Sequence, residues 1–198
     1  MDARTLVPSA PSDFERDDRW DEVWEGVLFV SPIPNVEHQR IGTRLSRAFL
    51  EAIEDDGLGM VLHGTNVSDR GQGWVQNYRC PDIAVYLVGN PSRDWNTHWE
   101  GGPDFAVEIV SPADRSREKL DFYAKVGVRE LLVIDRKPWR LELYRLGDGV
   151  LTSAGSIEPG QANLLDSEVL PLKLRLDAGT PRPTIAVIHD DGLRRWTV

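Results

Sequence analysis

The run Phe105-Ala106-Val107-Glu108-Ile109-Val110 sets one carboxylate in the middle of an otherwise apolar segment. A short apolar run of this kind, closed by Ser111-Pro112, reads as a buried strand. Side chains alternate along a strand, so Phe105, Val107 and Ile109 share one face while Asp104, Ala106, Glu108 and Val110 share the other. A carboxylate buried in that position costs free energy unless it is paired or bound to a cation. Any fold this chain adopts must therefore bury the strand and give Glu108 a partner. An internal salt bridge to an arginine is the structural solution; a metal ion is the functional one.

A second strong strand, residues 83–88, starts directly after Cys80-Pro81-Asp82. Alone, Asp82 is an ordinary strand-entry turn residue. If the two strands are neighbours, Asp82 and Glu108 can converge on one hard cation such as Mg²⁺ or Mn²⁺, which prefers oxygen ligands. Lys119 lies on the helix expected after the Glu108 strand, with Tyr123 one turn further along. A lone helix lysine is usually a solvated surface residue. Beside two metal-binding carboxylates, it can hold an attacking water and stabilise charge developing on a phosphate. Tyr123 suits packing with a wet hydroxyl tip. Asp104 shares the face of Glu108, but four residues along a strand is roughly 13 Å, which fits a supporting or strand-entry role. Arg115 and Arg117 either contact phosphate or solvate the helix start.

The 198-residue length suits one domain with a real core. Residues 1–20 are acidic and turn-rich and are expected to be poorly ordered; residues 21–198 are expected to form a single domain. A strand at 27–30 ends at the Ser31-Pro32-Ile33-Pro34 stop. Asn35 is a plausible N-cap for a helix ending at Asp55-Asp56-Gly57, with Ile41, Leu45, Ala48, Phe49, Ala52 and Ile53 on its apolar stripe. Strand pieces are expected at 60–62, at Val67 and at 74–78, with a long loop at 89–102. Ser111-Pro112 with Asp114 resembles a capping box for a helix reaching about Val126, stopped by Gly127. Strands follow at 131–134 and 140–146. Alternation at Leu172, Leu174 and Leu176, and a hairpin signal at Asp190-Asp191-Gly192, give antiparallel strands at the C-terminus. The expected fold class is α/β in the α+β sense: a mixed central sheet flanked by helices, with extra C-terminal antiparallel strands.

Taken together, Asp82-x(25)-Glu108, Ser111-Pro112, Arg117-Glu118-Lys119, Tyr123, Gly127-Val128 and Val133-Ile134-Asp135 resemble the Uma family of restriction endonucleases, a bacterial group within the PD-(D/E)xK nuclease superfamily. The resemblance covers residues 22–147, with a weaker continuation. It implies a restriction-endonuclease-like fold and a metal-dependent endonuclease that hydrolyses phosphodiester bonds of DNA. Asp82 and Glu108 match the motif carboxylates that bind Mg²⁺ or Mn²⁺. The superfamily pattern sets its lysine two positions after the acid, where this chain has Val110; the resemblance moves that role to Lys119. It also implies that His38, in the first turn of the first helix, stands near the metal; a capping or surface histidine is the structural alternative. It further leaves room for a homodimer, or for a protein partner that supplies recognition.

The charge balance bears on this expectation. The chain carries 23 Lys+Arg against 32 Asp+Glu, a net charge of −9. Between Ser111 and Gly147, however, nine Lys+Arg oppose six Asp+Glu, a local +3. An acidic chain with a locally basic segment argues for weak intrinsic DNA affinity at physiological salt. A single cysteine, Cys80, excludes an intrachain disulfide framework and a multi-cysteine zinc site. With no apolar signal core or membrane-length run, a cytoplasmic protein is expected. No zinc finger, helix-turn-helix, glycine-rich phosphate loop or nucleophile elbow stands out. The competing readings are a non-catalytic binding or scaffold protein on the same fold, and a hydrolase of another phosphate or ester.

Overall fold

A computed structural model of the chain describes residues 20–31, 33–111 and 115–198. The expected disordered start before Trp20, Pro32 of the stop signal, and Pro112 and Asp114 of the capping box lie outside the described residues. The elements run β1 (Glu22–Trp24), β2 (Val27–Phe29), α1 (Val36–Phe49), β3 (Gly59–His63), β4 (Val67–Ser68), β5 (Tyr78–Arg79), β6 (Ile83–Leu87), β7 (Arg93–Asp94), β8 (Trp99–Glu100) and β9 (Phe105–Ile109). They continue with α2 (Leu120–Val126), β10 (Glu130–Arg136), β11 (Trp139–Gly147), β12 (Val150–Ile157), β13 (Leu165–Asp166), β14 (Leu172–Asp177), β15 (Thr184–His189) and β16 (Arg195–Thr197).

The central sheet is mixed, in the order β12-β11-β10-β9-β6-β3. Only β9 and β10 are parallel within it. Parallel neighbours cannot be joined by a tight hairpin, and α2 occupies that crossover. The expected alternation along β9 holds. Phe105, Val107 and Ile109 pack with Ile41, Leu45 and Phe49 of α1, in a core that extends to Leu172, Leu174, Leu176, Ile185 and Val187. On the opposite face, Ala106 packs with Phe122 and Tyr123 of α2 and with Leu131 and Val133 of β10. Glu108 therefore points toward α2.

Two smaller sheets flank this unit. One, ordered β2-β1-β5-β4-β8-β7, contains the N-terminal hairpin; the other, β13-β14-β15-β16, is wholly antiparallel. The hairpin between β15 and β16 turns at Asp190-Asp191-Gly192 as expected. Among the described residues, no helix is long and apolar enough to cross a membrane.

Asn35 caps α1 by accepting from the His38 amide at 2.9 Å, and the helix continues as a wider turn over Leu50–Glu54 before Asp55. Gly127 ends α2 at φ +87°, and its amide reaches Ala124 and Tyr123 carbonyls. Gly127→Ala has open space for its methyl but must adopt left-handed backbone. It is expected to cost about 1–2 kcal/mol, read as a lower urea midpoint with unchanged slope.

Two expectations are corrected. Residues 74–78 do not form one strand: Gly73, at φ +68°, turns the chain into a tight helical turn over Trp74–Gln76, and only Tyr78–Arg79 pairs. The 89–102 segment is not all loop, because β7 and β8 pair antiparallel around Asn96. The helix reaching Val126 begins, within the described residues, at Ser116. Its first turn is Ser116–Lys119, of 3₁₀ type, and Arg115 before it makes no side-chain cap bond; the Ser111 hydroxyl lies against His38.

Candidate active site

The register of β6 on β9 places Asp82 and Glu108 together. Ile83 pairs with Val107 in an antiparallel ladder, so position 82, one step earlier, comes alongside position 108. Asp82 enters β6 directly after Pro81. Its Oδ2 accepts from the Ile109 amide at 2.6 Å, and its Oδ1 lies 2.8 Å from His38 Nε2. An ionised carboxylate only accepts, so Nε2 carries the imidazole proton. Its Nδ1 lies 3.1 Å from Ser111 Oγ, the ring's other polar neighbour. The capping of α1 explains how His38 arrives here: the Asn35 cap fixes the first turn, and His38 points from it to the end of the sheet.

Glu108 is 4% exposed. Lys119 reaches it from the turn before α2, with Nζ 2.9 Å from Oε1 and 3.0 Å from Oε2. Tyr123, fully buried one turn further on, donates its hydroxyl to Glu108 Oε1. The lysine thus approaches from a helix, not from the strand, and Val110 leaves its expected place empty of charge.

One member of the site is absent from the sequence-level candidates. Glu22 in β1 is 4% exposed, and its Oε1 accepts from Lys119 Nζ at 2.8 Å and from the Cys80 amide at 2.8 Å. Its Oε2 accepts from Trp24 Nε1 at 2.8 Å. The signal available was the Glu22-Val23-Trp24 alternation beside the Glu25-Gly26 turn, both of whose residues take positive φ. Embedded among acids at 13–25, it read as part of a solvated run.

Two carboxylates, Glu22 and Glu108, therefore share one ammonium, and the charge of Asp82 acts on Glu108 beside them. Burial pushes the Glu108 carboxyl up to about 8; the charges of Glu22 and Asp82 push the same way, against Lys119 and the Tyr123 hydrogen bond. Burial works to lower the Lys119 value, but the charges of Glu108 and Glu22 outweigh it and hold the ammonium above its usual range. Burial, and then Glu108, raises Tyr123, which stays a donor. Burial likewise raises Cys80, so its thiol is no nucleophile at neutral pH.

The other candidates lie elsewhere. Asp104 accepts from the Leu87 amide, Asn90 Nδ2 and Arg129 Nη1, tying the start of β9 to the end of β6. Arg117 is held by Glu142, 2.7 Å away, and by Asp135. Arg115, half exposed, lies over the Phe29 ring at 4.9 Å and near Glu118 at 3.5 Å.

The fold is that of a mixed-sheet α+β protein of the restriction-endonuclease-like class. Among solved structures, the chain is similar to the crystal structure of a putative nuclease belonging to DUF820 from Anabaena variabilis ATCC 29413. The TM-score is 0.60 at 18% identity, over 74% of this chain and 80% of that one. The model of the Uma2 family, described as "Putative restriction endonuclease", matches residues 8–179. The chain belongs to that family. None of the curated proteins matches its sequence.

Proposed function

We propose that the protein is an endonuclease that hydrolyses phosphodiester bonds of DNA with Mg²⁺ or Mn²⁺ held by Asp82 and Glu108. The observation that carries this reading is the buried convergence of Asp82, Glu108 and Lys119 at one end of the central sheet. Family membership supports the nuclease class.

The donor set fits a hard cation. Two of the carboxylates, Asp82 and Glu108, face each other across adjacent strands. Once Glu108 gives up its proton, Glu22, Asp82 and Glu108 against Lys119 would leave a surplus of two negative charges in a buried site, which a divalent ion would neutralise. Among the described residues, no group of three or more His, Cys, Asp and Glu side chains is arranged to hold a metal. Two carboxylates with water and substrate phosphate completing the shell is the usual arrangement for Mg²⁺. Such an ion supplies Lewis-acid polarisation of a phosphate oxygen.

The chain's own residues do the rest. His38 and the Ile109 amide fix the Asp82 carboxylate, leaving each oxygen a free lone pair. Tyr123 fixes Glu108 from the α2 side. Lys119 presents an ammonium that stays charged at neutral pH, suited to a phosphate oxygen or the attacking water. Arg115 is free enough to leave Phe29 for a backbone phosphate, whereas Arg117 is already engaged by Glu142 and Asp135. The acidic balance of the whole chain favours weak DNA affinity, strengthened by a second copy or a protein partner.

Chelated protein is expected to be inert and to cleave DNA once Mg²⁺ or Mn²⁺ is restored, in assays that run DNA and RNA side by side. Absence of cleavage with absence of metal binding in calorimetry would favour the scaffold reading. A pH prediction accompanies it. The Glu108 carboxyl rises from 4.5 to about 8 on folding, so between those values the folded state holds a proton that the unfolded chain has released. Stability of the metal-free protein should therefore fall as pH rises through that window. Saturating Mg²⁺ should flatten the slope, as followed by thermal melts at each pH.

A further inference from the structure

Glu22 is not needed to bind the cation in the reaction just proposed, yet it holds the residue that acts on the phosphate. We propose that Glu22 is the positioning residue that keeps the Lys119 ammonium in the site when a divalent cation takes up Glu108. The inference rests on the metal-dependent reading and adds a division of labour among its carboxylates.

An ammonium has three N–H donors. Those of Lys119 lie against Glu22 Oε1, Glu108 Oε1 and Glu108 Oε2, at 2.8, 2.9 and 3.0 Å. With a cation held at Glu108, that carboxylate would be shared and the ammonium would be repelled. Glu22 is then the one carboxylate still paired with it, and the two N–H groups released from Glu108 are free to turn to a substrate phosphate. Glu22 itself is poorly placed to desert Lys119 for the cation. Its Oε1 is doubly engaged, by Lys119 and the Cys80 amide, and its Oε2 is held by the Trp24 indole.

The strand that carries Glu22 is clamped to the helix that follows Lys119. The Arg79 guanidinium lies between the Trp24 and Phe122 rings, 4.3 and 4.2 Å from their centroids. It also donates to the Val23 carbonyl at 3.0 Å. The carboxylate and the lysine are thus fixed to one another through packing that does not involve Glu108.

Two measurements on the full-length protein test this. In the first, kcat for DNA cleavage at saturating Mg²⁺ is compared for wild type, Glu22→Gln, Lys119→Met and the double variant. Glu22→Gln is expected to slow kcat by about 10–100-fold with KM little changed. The double variant should be no slower than Lys119→Met, because Glu22 acts through the lysine. Multiplying effects in the double variant would overturn the inference while leaving the nuclease reading intact.

The second reads no activity. A protected lysine ammonium signal in ¹H–¹⁵N spectra, assigned by its loss in Lys119→Met, should persist when Mg²⁺ is added to wild type and vanish on the same addition to Glu22→Gln. Loss of the wild-type signal on Mg²⁺ addition overturns the inference even if Glu22→Gln does not fold. Absence of Mg²⁺ binding by calorimetry overturns the metal reading and this inference together. Metal binding without cleavage removes only the nuclease reading and leaves the spectra to decide the role of Glu22.

Discussion

Glu108→Gln should abolish metal-dependent cleavage, slowing it by about 10³-fold or more, the upper range for loss of one preorganised electrostatic group. Glutamine keeps the volume of the side chain and can still accept from Lys119 and Tyr123, so the central sheet should form as before. On the proposed reading, the loss falls on the carboxylate charge that a cation would take up. The same substitution removes the carboxyl whose value is lifted to about 8. The metal-free variant should therefore lose the fall in stability between about pH 4.5 and 8 expected of wild type. Single-turnover cleavage at saturating Mg²⁺, with circular dichroism as the fold control, measures the first effect. Activity within about tenfold of wild type would remove Glu108 from the reaction.

Lys119→Met should produce the largest change in stability. The lysine is 8% exposed and is the partner of two buried carboxylates. Deleting one side of a buried pair typically costs about 3–5 kcal/mol, because the uncompensated charge remains. Here Glu22 and Glu108 would be left without the ammonium they share. For a chain of this length, that corresponds to a melting point lower by roughly 6–20 °C. Mg²⁺ should restore part of the loss by supplying positive charge, without restoring cleavage. A melting point unchanged in chelator would mean that the carboxylates release their charge at little cost.

Much of this site was legible from the alternation of β9 alone. Period-two patterning put Glu108 on the face opposite Phe105, Val107 and Ile109, and the structure keeps that division. Asp82 was legible because Pro81 marks a strand entrance, and its neighbour relation to Glu108 needed only that β6 and β9 pair. The Asn35 cap and the Gly127 stop were also readable, since both act through local backbone chemistry.

What escaped depended on contacts distant in sequence. Glu22 lies 97 positions from Lys119, and nothing local separates it from the solvated acids around it. The Ser111 hydroxyl meets His38 from 73 positions away, a contact that no local pattern registers. Gly73 and Asn96, both at positive φ, broke expected strand and loop assignments in ways that apolar patterning does not register.

The antiparallel ladder of β6 on β9 carries a consequence for how such a chain can change over generations. A shift of β9 by one residue against β6 would exchange the faces of all its side chains. Glu108 would then be driven into the aliphatic layer under α1, and Val107 would stand before Lys119. Insertions and deletions in the 88–104 stretch are thus compatible with function only when β9 re-enters in phase. The β7–β8 hairpin can lengthen or shrink, while Asp104, tied to Leu87, Asn90 and Arg129, acts as the pin that resets the phase. Selection on a residue far from the chemistry would in this way preserve the chemistry.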